Sequence, residues 1–220
     1  MLTATYALVA LSVEQANIRL SVLSFQKYVE STLTRQHSLT LSQLEYACET
    51  LERLYQACSW RKIELYLIPA LRQATERADQ LLDELSRLNG FALGIVRRLK
   101  ERLEHAGAGS VEPDPGICES IETFCGTLLQ RLEKEEQELF AIARSAICGE
   151  AWFAIANKLL AHDAQVAEAR RHGEGPGSDV IALVPRLAPP AEPVAAIEIR
   201  MPAARLRERE RAAPRAAAAD

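Results

Sequence analysis

Apolar residues recur in alternating steps of three and four along the first 170 residues, a spacing that keeps them on one face of a helix. Leu8, Leu11, Ile18, Val22, Phe25 and Val29 mark a first helix ending near Thr34. A second begins after Ser38-Leu39-Thr40, where hydroxyls can cap free amides and Glu45 adds negative charge early in the helix. It runs through Leu44, Cys48, Leu51 and Tyr55 towards Tyr66, and Pro69 bends it by removing a donor and crowding the carbonyl four residues back. A third helix, from about Glu76, carries Leu82, Leu85, Ala92, Val96, Leu99 and Leu103 and stops at Gly107 and Gly109. The fourth starts after Asp114-Pro115, a cap followed by a first-turn proline, and carries Ile117, Ile121, Phe124, Leu128 and Ile142. Each is about 30 residues and so roughly 45 Å long. Short connections force antiparallel neighbours, and the pattern predicts an all-α, up-down-up-down four-helix bundle. GEAWFAIANKLLAH, residues 149–162, reads as a short fifth helix whose Trp152, Phe153 and Leu159 close one end.

Composition divides the chain. Three prolines precede His172 and seven follow it, in segments with no sustained period and little bulky apolar content to offset the entropy of ordering. Residues 1–170 are therefore expected to form the bundle and residues 171–220 a disordered C-terminal tail. Twenty-six Lys and Arg against 30 Asp and Glu leave a net charge of −4, which offers no footprint for a phosphate backbone, so nucleic acid is not an expected partner. Five cysteines without close Cys-x-x-Cys spacing fit reduced thiols in the cytoplasm. Leu2–Val13 is apolar but lacks a basic start and a cleavage pattern, and no run reaches the roughly 18–20 apolar residues of a membrane span.

The informative residues are polar ones on the apolar faces. The steps from Leu11 to Ile18 pass through Gln15, and those from Leu85 to Ala92 pass through Asn89. From Leu128 to Ile142 they land on Arg131 and Glu135, one turn apart. The second helix offers Ser59, with Cys58 beside it, one turn before Ile63. Each helix is thus interrupted near its middle, so the breaks can meet at one depth. A buried polar group costs about 1–3 kcal/mol unless hydrogen-bonded, so these residues are expected to satisfy one another, Arg131 pairing with Glu135. Two amides, a hydroxyl, one carboxylate and a guanidinium are a poor ligand set for iron or zinc, which take imidazole, carboxylate or thiolate.

Residues 132–160, LEKEEQELFAIARSAICGEAWFAIANKLL, resemble the fourth and terminal helices of the hemerythrin-like family, the HHE cation-binding bundles. WRKIELYLIPAL, residues 60–71, resembles the family's second-helix segment, and LLDELSRLNG its third; together the resemblance covers roughly residues 8–165. The resemblance implies a four-helix bundle holding two irons between a first-helix histidine, a His-x-x-x-Glu pair, a third-helix histidine and a second His-x-x-x-Glu pair. Position by position, those ligands fall on Gln15, on Ser59 and Ile63, on Asn89, and on Arg131 and Glu135, so only Glu135 keeps the ligand type. His37, in the first connection, His105 and His162, at helix ends, and His172, in the tail, do not replace the missing ones.

The expectation is a degenerate metal site in a non-enzymatic interaction or regulatory bundle, with a protein partner and no cofactor. The alternative is a di-iron protein of oxygen or nitric-oxide sensing, or of iron handling, using Glu135, Glu136, Glu64 and Cys58; a haem or small-molecule pocket is a third possibility. Cys48, Cys118, Cys125 and Cys148 read as small helix residues. No phosphate loop, Gly-x-Ser-x-Gly or deaminase-type zinc motif is present, and of the neighbouring carboxylates Glu136 points about 100° away from Glu135, towards solvent or the next helix.

Overall fold

With no glycine or proline before Pro69, the N-terminal third of the chain has little to stop a helix except capping and connection chemistry. The computed structural model describes residues 2–33, 40–105 and 115–172. Helix α1 (Leu2–Tyr28) continues through a widened, π-type turn at Val29–Leu33. Helix α2 (Leu41–Ser59) opens on a reciprocal cap: the Gln43 amide donates to Thr40 Oγ1 at 3.2 Å, and the Thr40 amide donates to Gln43 Oε1 at 3.0 Å. The side chain that completes the start of α2 is therefore Gln43.

The second column breaks at Trp60 and Arg61, earlier than Pro69 suggested. It resumes as a widened turn, Ile63–Leu67, that passes into α3 (Ile68–Ala74). Pro69 has no donor for the carbonyl four residues back, and the ladder ahead of it is already relaxed, the Ile68 amide reaching back to the Ile63 carbonyl. After a 3₁₀ turn at Glu76–Ala78, capped by Thr75 Oγ1, come α4 (Asp79–His105) and α5 (Pro115–Lys134). A third widened turn, Glu135–Leu139, leads into α6 (Phe140–Ala146), followed by α7 (Gly149–His172).

The helices form an up-down-up-down bundle. α1 packs on α2 and α5, and α4 packs on the same two, which closes a ring of four columns; α3 meets α6, and α7 lies along α1. No strand occurs among the described residues. The fifth helix continues to His172, ten residues past His162, so His162 lies within a helix and residues 171–172 belong to α7. The remainder of the expected tail, together with His37, Ser38, Leu39, Gly107, Gly109 and Asp114, lies outside the described residues. No helix among the described residues is long and apolar enough to cross a membrane.

Two apolar clusters fill the bundle. One joins Ile18, Val22 and Phe25 of α1 to Leu51 and Leu54, Ala92 and Val96, and Phe124 and Leu128. The other joins Leu8 and Leu11 to Ile63 and Leu67, Leu82 and Leu85, Leu139, and Trp152 and Leu159. Along each column the sequence passes from one cluster to the other across a short polar interval. In the fourth column the widened turn adds nearly a residue to the repeat. The buried phase moves from Glu138 and Ile142 to Leu139 and Ala143, leaving Glu138 exposed and Ile142 at the edge of the core.

Candidate functional site: a buried charge network

The polar interval of the fourth column carries Glu135, wholly buried at the first position of its widened turn. An isolated carboxylate here would be untenable. Its main partner comes from the break in the second column. Arg61, 1% exposed, donates through both terminal nitrogens, Nη1 to Oε2 and Nη2 to Oε1, each at 2.6 Å. This two-pronged contact is the strongest geometry available to such a pair. Arg61 Nε donates to the Cys58 carbonyl at 2.9 Å, so the guanidinium also caps a carbonyl freed where α2 ends.

The other columns complete the layer. Gln15 Nε2 of α1 donates to Glu135 Oε2 at 2.7 Å, and Arg131 Nε donates to Oε1 at 3.1 Å. Arg131 Nη1 donates to Asn89 Oδ1 of α4 at 2.7 Å, its Nη2 donates to Glu64, and Asn89 Nδ2 donates to the Tyr55 hydroxyl at 3.3 Å. Two guanidinium cations thus face two carboxylates, with amides and a phenol taking up the remaining hydrogen bonds. Gln15 Oε1 is the exception, a buried acceptor with no partner.

Charge states follow from this arrangement. Burial alone would raise the Glu135 carboxyl, but the Arg61 charge and hydrogen bonds, with Arg131 and Gln15, hold it below the usual carboxylate range. Burial alone would lower the Arg61 guanidinium, and the Glu135 charge and hydrogen bonds more than offset it, so the group is held above its ordinary value and stays charged. Glu64 lies nearer the edge; burial pushes its carboxyl up, with Arg131 and Arg61 opposing. The Cys58 thiol is pushed up by burial despite its two cationic neighbours and remains a thiol. Burial likewise raises Cys48 to about 11 and Cys125 to about 12.

The residues singled out from sequence divide. Gln15, Asn89, Arg131 and Glu135 meet in the layer as their spacing indicated. Ser59 does not: its hydroxyl donates to the Tyr55 carbonyl of its own helix at 3.0 Å. Ile63 is ordinary apolar core. The principal guanidinium is Arg61, which lies off the stripe when steps of three and four are taken forward from Ser59. Counting three residues from Cys58, which is wholly buried, reaches Arg61, and three more reach Glu64.

The residues present do not fit a metal centre. Every carboxylate oxygen of Glu135 accepts from a guanidinium or an amide, and a cation there would have to displace two positive charges. Of the alternative ligand set, Glu136 faces outward to Arg19 at 2.6 Å and Cys58 is protonated. Among the described residues no three His, Cys, Asp or Glu side chains gather as a ligand set. His105 lies against its own helix, beside the Glu101 carbonyl, and His162 Nδ1 meets the Tyr66 hydroxyl at 3.1 Å, outside the layer.

No family model, curated protein or solved structure matches this chain.

Proposed function

We propose that this protein is a hemerythrin-like bundle in which an internal charge network stands where relatives hold metal, and that it acts as a non-catalytic interaction or regulatory module. The observation that carries this reading is the paired contact between Arg61 and Glu135 at 2.6 Å. The side chain at the one position that keeps the family's ligand type is committed to a guanidinium, with no acceptor left for a metal ion. Such a layer fixes helix register, because each column contributes a group that only the others can satisfy. The five free cysteines support a reducing compartment, the cytoplasm.

The test is metal content. The full chain is incubated anaerobically with ferrous iron, desalted and assayed beside an Arg61→Met/Arg131→Met variant. The expected result is no stoichiometric metal in the wild-type protein. About two irons per chain, the complement of a di-iron bundle, would replace this reading with the sensing or iron-handling alternative.

A further inference from the structure

α1 carries two apolar seams. The inner one, through Leu8, Leu11, Ile18, Val22 and Phe25, is buried in the bundle. The outer one is the same pattern displaced by two residues, about 200° around the helix at 3.6 residues per turn. Leu2, Tyr6, Val9, Val13, Leu20 and Leu23 are each between 45% and 89% exposed. With Ala16, also exposed, they keep unbroken steps of four and three over three heptads. That is the repeat of a coiled-coil seam.

The other columns show different outer faces: Glu45, Glu49 and Arg53 on α2, and Glu119, Glu122 and Glu133 on α5. Between Leu2 and Leu23 the exposed residues of α1 include no charged side chain. The two charged residues in that stretch are turned to the chain itself: Glu14 accepts the Lys62 amide at 3.0 Å, and Arg19 pairs with Glu136.

We propose that the outer seam of α1 pairs with the same seam of a second copy, antiparallel, to form a two-fold symmetric dimer. Three observations select this occupant. Identical heptad spacing meshes with itself about an axis between Val13 and Ala16, near the midpoint of the seam, setting Val13 against Ala16, Val9 against Leu20 and Tyr6 against Leu23, as an isologous interface requires. Of the positions flanking the seam only Arg19 is charged, and it is held by Glu136 of its own chain, so no free flanking charge is set to reject a second copy. Its extent suits a weak dimer. About 30 Å of seam on a helix about 10–12 Å across covers on the order of 700 Å² on two copies, below the roughly 1,200 Å² of stable interfaces and in the range of weak association. Lys27 sets the direction, because it occupies the next seam position: parallel chains would oppose two ammonium groups there, and antiparallel chains separate them by the length of the helix.

The seam lies on the face of α1 opposite Gln15, so this proposal and the reading of the internal network succeed or fail independently. The test is the mass of the full chain by light scattering and sedimentation at roughly 100 µM, well above a micromolar dissociation constant. The wild-type protein is expected to be a dimer. Val13→Glu, which places two carboxylates beside the axis, is expected to give a monomer with an unchanged circular dichroism spectrum. Val9→Glu and Leu20→Lys should each dissociate the dimer and should restore it when combined, because antiparallel pairing sets position 9 against position 20. A monomeric wild type, or a dimer indifferent to Val13→Glu, overturns the proposal. Failure of the double variant to re-form the dimer overturns the antiparallel arrangement.

Discussion

The interior layer and the outer face of α1 break the same rule in opposite directions. One is a polar band in an apolar interior and the other an apolar band on a polar exterior. The interior band is closed by the chain's own groups, with Glu135 taking hydrogen bonds from three side chains on three columns. Among the described residues the outer band has no such closure within one copy. Polar groups out of water are costly enough that a single chain must satisfy them itself. Apolar side chains in water are cheaper per residue and can wait for a second molecule.

The largest effect expected from disturbing this contrast is at Glu135. Glu135→Ala leaves Arg61 wholly buried and Arg131 nearly so, without their shared carboxylate, and should lower the unfolding free energy by about 3–5 kcal/mol in denaturant melts. Glu135→Leu with Arg61→Met should recover most of that, whereas Glu135→Leu with Arg131→Met should recover less, because Arg61 holds the paired contact.

Acid should expose the same group. Its folded-state carboxyl lies below the ordinary value, so the stability it contributes is complete above about pH 4.3 and is lost as pH falls through the lower folded value. Glu14 and Glu64, both raised by burial, act in the opposite sense: protonation relieves them as pH falls from above their raised values towards the ordinary one. Urea melts at descending pH should therefore show a loss confined to the acid end, and Glu135→Gln should flatten it. An unchanged acid limb in that variant would assign the loss elsewhere.

Gln15→Leu is a smaller disturbance. It removes a hydrogen bond to a carboxylate, worth about 1.5–3 kcal/mol, but also removes a buried acceptor without a partner, which costs about 1–3 kcal/mol, so the net change in a melt should stay within about 1 kcal/mol. Ser59→Ala should be the mildest, within about 0.5 kcal/mol, because its hydroxyl serves only its own helix. A loss of about 2 kcal/mol at Ser59 would return that residue to the layer.

The all-helical bundle was legible because apolar spacing of three and four continues through each column, and Gln15, Asn89, Arg131 and Glu135 stood out as its interruptions. That legibility depended on regular geometry. It failed for Arg61: α2 stops at Ser59 and the chain restarts through a widened turn, so counting alone did not fix whether Cys58 or Ser59 faces the interior, nor the phase of the residues that follow. The same effect displaced the buried position from Ile142 to Ala143.

Local repeat alone determined which residues belong to a helix face and that the middle of each column is polar, because periodicity is a property of neighbouring residues. Which cation holds Glu135 was decided only by tertiary structure. Arg131 is one turn away along the chain, but the better geometry belongs to Arg61, brought in from 74 positions earlier by the packing of two columns. Through-space charge pairing is set by distance and angle between side chains, and sequence separation carries neither.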